Sequence, residues 1–214
     1  MHYVDRGLEP RGLKKYRDDY TQRWVEYYEQ GIGSKPKDSH WRKFNKNLGK
    51  VFSFLCGYCE KDCKGEVDHF RPKSRFPQKV YEWSNWVFSC HDCNNIKGGK
   101  LPNGGYIDPC TRTPSFRPEK FFEFDLKTGE IKPKSKLNGR QWQKARTMID
   151  DLKLNAFHHL KSRSRWLGLV SDMLKGENEE DPNHEDFVQR ISARSCPFSS
   201  ITRALLAEEG YFLD

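Results

Sequence analysis

No stretch of this 214-residue sequence stays apolar for the roughly 18–20 residues that a membrane-spanning helix needs. Its opening segment, Met1-His2-Tyr3-Val4-Asp5-Arg6, lacks the basic, apolar and small-residue succession of a signal peptide. These two absences predict a cytoplasmic chain. Apolar residues are scarce throughout, at 35% with a mean hydropathy of −0.94. Disorder does not follow, because Trp, Tyr and Phe make up 14% of the chain and disordered segments are poor in aromatics. The combination predicts several small Trp- and Phe-centred clusters, supplemented by a metal or a partner surface. Repeats and Gly/Ser-rich linkers are missing too, so any domain boundaries are soft.

Acid is missing where base is dense. Residues 132–146 carry Lys132, Lys134, Lys136, Arg140, Lys144 and Arg146 with no Asp or Glu, and residues 153–165 add Lys153, Lys161, Arg163 and Arg165. The compensating acids sit further on, at Glu177, Glu179, Glu180, Asp181, Glu185 and Asp186. A formal net charge of +8 suits a polyanionic partner. Two acid-free basic runs in succession point to a phosphate-facing surface, although each alone reads equally as a solvated helix face.

What is present begins with helix patterns. Residues 10–30 place Leu13, Tyr16, Tyr20, Trp24 and Tyr27 at helical spacing, with Gly31 as the stop. Ser39 suits the cap of a second helix bearing Trp41, Phe44, Leu48 and Val51. The alternation in Phe122-Glu123-Phe124-Asp125-Leu126, the turn Lys127-Thr128-Gly129 and then Glu130-Ile131 predict a hairpin. Asn138 opens a helix with Trp142, Ile149 and Leu152 that stops at Asn155. The next carries Leu160, Leu167, Val170 and Leu174 and stops at Gly176. An acidic loop with Pro182 leads to a short helix with Phe187 and Ile191, and Ser199 or Ser200 caps a last helix ending at Gly210.

Residues 51–110 differ in kind. Cys56-Gly57-Tyr58-Cys59 and Cys90-His91-Asp92-Cys93 are two C-x-x-C pairs a few tens of residues apart, a strong pattern for a tetrahedral zinc site. Four thiolates fill zinc's shell, so this ion is expected to be structural. Cys63 is the rival ligand, and Cys110 and Cys196 are not expected to take part. Between the pairs, Asp68-His69 offers a hard oxygen ligand beside a base near physiological pH. Asn85 and Asn94 follow. Successive strand residues face opposite sides, so Asp68 and His69 can share a site only where the strand geometry breaks.

In this order and spacing the residues resemble the HNH endonuclease superfamily, with Asp68-His69, Asn85, and Asn94 in the third position where His is common. The resemblance implies an α+β chain with a ββα-metal module: a hairpin carrying His69, a loop with Asn85, and a helix starting near Cys90. His69 is then the general base, and Asp68 and Asn94 are ligands of a catalytic Mg²⁺ or Mn²⁺. Asn85 orients the loop, or touches the metal. Arg71, Lys73 and Lys97 add positive charge at the phosphate, with Lys132, Lys134, Lys136, Arg140 and Lys144 as a wider nucleic-acid surface. The chain divides into a helical extension (1–50), the zinc-stapled module (51–110), and a hairpin plus C-terminal helices (111–214).

A narrower resemblance runs through Met1-His2-Tyr3-Val4-Asp5-Arg6-Gly7-Leu8-Glu9-Pro10, Cys56-Gly57-Tyr58-Cys59-Glu60, Asp68-His69-Phe70-Arg71-Pro72-Lys73-Ser74 and Cys93-Asn94-Asn95-Ile96-Lys97-Gly98. These segments are similar to the nuclease subunits of Septu anti-phage systems, the PtuB family, which also occur beside retrons. That resemblance implies a hetero-oligomer with an ABC-type, PtuA-like ATPase. Its interface is expected on Tyr16, Tyr20, Trp24 and Tyr27 or on Leu160, Trp166 and Phe187, unless these aromatics simply pack the helices. Two other readings stay open: an RNase, for example one cleaving tRNA, using the same site, and a non-catalytic zinc ribbon that binds nucleic acid or protein. DNA against RNA, strand preference, stoichiometry and trigger have no marker in the sequence.

Overall fold

The first helix, α1 (Leu13–Val25), continues through one wider turn of π type at Glu26–Gln30 and ends at Gly31, whose φ of +68° is the left-handed conformation expected of a glycine stop. The structure, a computed structural model, describes residues 1–176 and 184–211. Trp24 is buried with Tyr28 stacked on it, and Tyr16 and Tyr20 pack on the same core; Tyr28 takes the place foreseen for Tyr27. The second helical segment is a 3-10 turn, His40–Phe44, running into α2 (Asn45–Val51). Trp41, Phe44 and Leu48 are buried as their spacing requires, but Ser39 makes no side-chain cap.

The central module is short. β1 (Glu66–His69) pairs antiparallel with β2 (Trp86–Ser89), His69 opposite Trp86 and Asp68 opposite Val87. Helix α3 (His91–Lys97) follows at once, with Cys90 as its N-cap: the sulfur accepts from the Cys93 amide. This is the ββα arrangement. One buried cluster runs from Met1 and Val4 through α1, α2 and both strands to Met148 and Leu154, so the core is continuous across positions 50 and 110. Trp86 lies at its centre, fully buried, and donates from Nε1 to the Val80 carbonyl.

A second hairpin, β3 (Phe122–Asp125) and β4 (Glu130–Pro133), occupies the stretch where residues alternated. Asn138 opens α4 (Gly139–Asp151) with a reciprocal capping box to Gln141. Ala145, Met148 and Ile149 are its buried face, and Trp142, expected inside with Ile149, is 40% exposed one turn nearer the N-terminus. Asn155 does not end that helix. It brackets β4 instead, accepting from the Ile131 amide and donating to the Ile131 carbonyl.

The C-terminal helices are α5 (Phe157–Gly176), α6 (His184–Ser192) and α7 (Ser199–Glu208). The foreseen acidic loop at Glu177, Glu179, Glu180, Asp181 and Pro182 lies outside the described residues. Neither Ser199 nor Ser200 caps α7. The cap comes from far away in sequence, where the buried Glu60 carboxylate accepts from the Ser200 amide at 3.1 Å and from its hydroxyl. Among the described residues no helix is long and apolar enough to cross a membrane.

Candidate metal centres and active-site cleft

Cys56, Cys59, Cys90 and Cys93 converge. Their four sulfurs all lie within 4.8 Å of one another, and all four residues are buried. Cys59 Sγ and Cys90 Sγ are 3.8 Å apart, the edge of a tetrahedron drawn with Zn–S bonds of about 2.3 Å. The donor set and its spacing therefore fit zinc. The tight first turn depends on Gly57: a β-carbon there would lie 2.7 Å from Phe52 Cε1 and 2.8 Å from Val87 Cγ1. Cys63, the rival, stands apart and donates weakly to the Phe54 carbonyl. Two buried residues of α5, unforeseen in the sequence, approach this corner. His159 Nε2 is 4.0 Å from Cys93 Sγ. Arg163 is 2% exposed and bonded to the carbonyls of Gly129 and Leu154; burial lowers its pKa to about 10, opposed chiefly by the nearby Cys59.

A cleft of about 740 Å³ opens along β1, walled by α3 on one side and by Tyr28, Trp41, Arg42 and Asn45 on the other. His69 lies at its wall, 6% exposed, its ring edge-on to Trp41 at 5.0 Å. Nε2 sits 2.9 Å from the Val80 carbonyl. A carbonyl only accepts, so Nε2 carries the proton and Nδ1 keeps its lone pair. Burial, then the positive charge of Lys73, hold the imidazole far below its usual range, at about 3. His69 is thus neutral, with the Nδ1 lone pair unprotonated.

Asp68 also lines the cleft, because β1 ends at His69 and neighbouring residues can share the opening. Its carboxylate is nevertheless turned inward, 3% exposed. Tyr58 donates to Oδ2 at 2.5 Å, and Lys97 donates to Oδ1 at 3.0 Å. Burial raises the Asp68 pKa, opposed chiefly by Lys97. A carboxylate has about four acceptor sites, so two remain for a cation. Asn94 donates from Nδ2 to Glu66 Oε2 at 3.0 Å, leaving Oδ1 without a hydrogen-bond partner among the described residues. Glu66 itself accepts from His91 Nδ1 at 2.6 Å. Asp68, Asn94 and Glu66 all line this cleft and carry oxygen donors, the type a hard divalent ion takes. Glu66 carried no motif to mark it; its signal is two-residue spacing from Asp68 on the same strand face.

Other foreseen residues take different places. Lys97 is fully buried, bonded to Asp68 and to the His69 carbonyl at 2.7 Å, so it cannot meet a phosphate from the surface. It holds the catalytic-motif backbone in place. Asn85 is buried behind the cleft, where Oδ1 accepts from the Arg71 amide and Nδ2 donates to the carbonyls of Arg71 and Lys79. It shapes the loop. Lys73 reaches the cleft over the Trp24 and Trp41 rings, at 5.8 and 5.5 Å. Arg71 faces the opposite side of that loop. In the basic runs, Lys132 is paired with Asp125 at 2.9 Å, Arg146 with Asp150 at 2.8 Å, and Arg163 is buried; Lys136 and Arg140 remain exposed, and Lys134 and Lys144 half-buried. Of the foreseen interface, Trp24 and Phe187 are buried, and Trp166 packs on Phe198 while donating to Thr202.

A two-stranded hairpin, a short helix, paired cysteine knuckles and a histidine held by a backbone carbonyl define an HNH-type ββα-metal module. Residues 56–100 match the family model described as HNH endonuclease. Beyond that module, the chain is similar to the Septu protein PtuB of Bacillus thuringiensis, at 37% identity over 114 residues, which is 49% of this chain and 38% of that protein. The matched stretch thus spans about two fifths of the relative's length.

Proposed function

We propose that this chain is a metal-dependent endonuclease that hydrolyses phosphodiester bonds in nucleic acid, DNA in the first place, as the effector of a Septu-type defence complex. The observation that carries it is His69: its Nε2–H is committed to Val80, its Nδ1 is unprotonated, and it borders the cleft that also holds the oxygens of Asp68 and Asn94. A non-catalytic zinc ribbon has no use for that arrangement.

In this reading His69 Nδ1 takes the proton from the attacking water. The Val80 carbonyl fixes the ring's tautomer and angle, and the buried Lys97 holds the backbone at the His69 carbonyl. Lys73 draws the phosphate into the cleft. The arriving anion offsets the charge of Lys73, which raises the basicity of His69 at the moment it is needed. Asp68 and Asn94 would hold a Mg²⁺ or Mn²⁺ ion, which would supply Lewis-acid charge at the phosphate. Zinc held by the four cysteines is structural, since a filled tetrahedral shell leaves no position for water. The likeness to PtuB supports a partner subunit, in our reading an ABC-type ATPase.

The test is to incubate purified protein, alone and with the co-expressed ATPase, with plasmid and with tRNA in Mg²⁺ or Mn²⁺. Cleavage is expected only when a divalent ion is added. Full activity without one, with zinc retained, refutes the two-metal assignment. Separate elution of the two proteins, with activity indifferent to ATP, refutes the partner.

A further inference from the structure

The loop that carries Arg71 to Phe76 is a partition between two clefts. Lys73 and Ser74 face the cleft of His69, whereas Arg71, Arg75 and Phe76 face a second cleft of about 450 Å³. The two share a second wall, where Gly98 and Gly99 border the first and Leu101 the second. The second volume lies in the range of small-ligand pockets, and its lining is basic and aromatic together. Arg71 has its guanidinium 5.4 Å from the Phe76 ring centre and forms no ion pair among the described residues. Lys144 enters from α4, half-buried, likewise without an ion pair among the described residues. Asp108 lines the same cleft but is already paired with Arg6 at 3.1 Å. Phe116, at 50% exposure, lines the same cleft and stacks on Phe121 with ring centres 6.5 Å apart.

Two cations lacking acids beside a half-exposed aromatic ring have a chemical complement: a phosphate joined to a planar base. Every base has a π-face, and aromatic side chains stack on it whatever the sequence. A base that is still paired would bring its partner with it into a cleft of about 450 Å³, so the occupant must be unpaired or turned out. We propose that this second cleft is a subsite for one unpaired nucleotide of the substrate strand, its base stacked on Phe116 and its phosphate between Arg71 and Lys144. The strand would cross the 71–76 partition, with the scissile phosphate on the His69 side. This rests on the nuclease reading and adds the feature of the substrate that the protein selects.

Binding decides it, measured on His69→Ala protein so that no probe is cut. Fluorescent hairpins, one fully paired and one with a single unpaired nucleotide, each as DNA and as RNA, are titrated by anisotropy. The unpaired nucleotide should improve affinity about tenfold, the scale of one base–aromatic stack. Phe116→Ala should erase that preference and leave binding of the paired probe unchanged. Lys144→Ala should weaken binding of the unpaired probe and lower its salt slope by about one. Phe116 is half exposed, so its variant should keep the wild-type melting temperature and zinc content. Equal binding of the two probes, or a preference that survives Phe116→Ala, overturns the subsite and leaves the nuclease reading standing. If neither probe binds at all, both fall.

Discussion

One small module holds two polar clusters built on opposite plans. At one end of the β1–β2 hairpin, four buried sulfurs close on a point, and each surrounding group, from Gly57 to His159, is packed tightly against them. Along β1, Glu66, Asp68 and Asn94 line an open cleft with His69 beside them. The closed cluster has no position for water and serves folding. The open one keeps an acceptor nitrogen, unsaturated oxygens and solvent access, which chemistry requires. Tyr58 joins them, since it lies between Cys56 and Cys59 and donates to Asp68. The lesson is that the same few residues can brace a fold and pre-orient a site.

The largest effect should come from the closed cluster. Cys93→Ser is expected to take bound zinc from one per chain to near none and to unfold the module, because metal binding and folding are coupled. Elemental analysis and the melting curve check it. A folded, zinc-bound Cys93→Ser protein would remove the distinction between the clusters.

His69→Ala should act in the reverse sense. Cleavage should fall by about 10²–10⁴-fold, the usual contribution of a general base, with zinc content unchanged. Initial rates on plasmid, alongside metal analysis, read both quantities at once.

Lys97 sharpens the comparison, since it braces the open cluster from beneath. Lys97→Met leaves the Asp68 carboxylate buried and unpaired, which typically costs about 3–5 kcal/mol. Lys97→Met combined with Asp68→Asn should recover much of that in urea unfolding. Lys132→Ala, which breaks an exposed pair, should leave the urea midpoint close to wild type.

Stability should also respond to pH. Folded His69 titrates at about 3, against 6.5 for an ordinary histidine. Between those values the unfolded chain binds the extra proton, so stability due to this group is present above pH 6.5 and is lost as pH falls. His69→Gln should flatten the acid side of a plot of melting temperature against pH, and an unchanged slope would mean that the ring is hydrated.

Much of the site could be read directly from residue types and spacing. The C-x-x-C pairs, Asp68-His69 and Asn94 announce themselves, because a tetrahedral thiolate shell and a base beside an oxygen ligand demand particular atoms at particular intervals. The alternation at 122–126 and the Asn138 cap were equally legible, since strand period and capping are local. Lys97 and Arg163 were not. A lysine or arginine in sequence reads as surface charge, and only packing shows that one is sealed against Asp68 and the other lies near four cysteines. Trp142 misled for the same reason: helical spacing says which residues share a face, but not how far the buried arc extends.

The sequence by itself determined the chemistry available: which atoms can hold a soft ion, which can hold a hard one, and which residue can take a proton. Tertiary structure alone decided access and sidedness. It turned Asn85 into a brace for the loop, gave α7 a cap from Glu60, and split residues 71–76 between two clefts. The physical reason is that ligand preference belongs to a side chain's own atoms. Burial, charge pairing and the facing of a loop depend on neighbours that are distant in sequence and meet only when the chain folds.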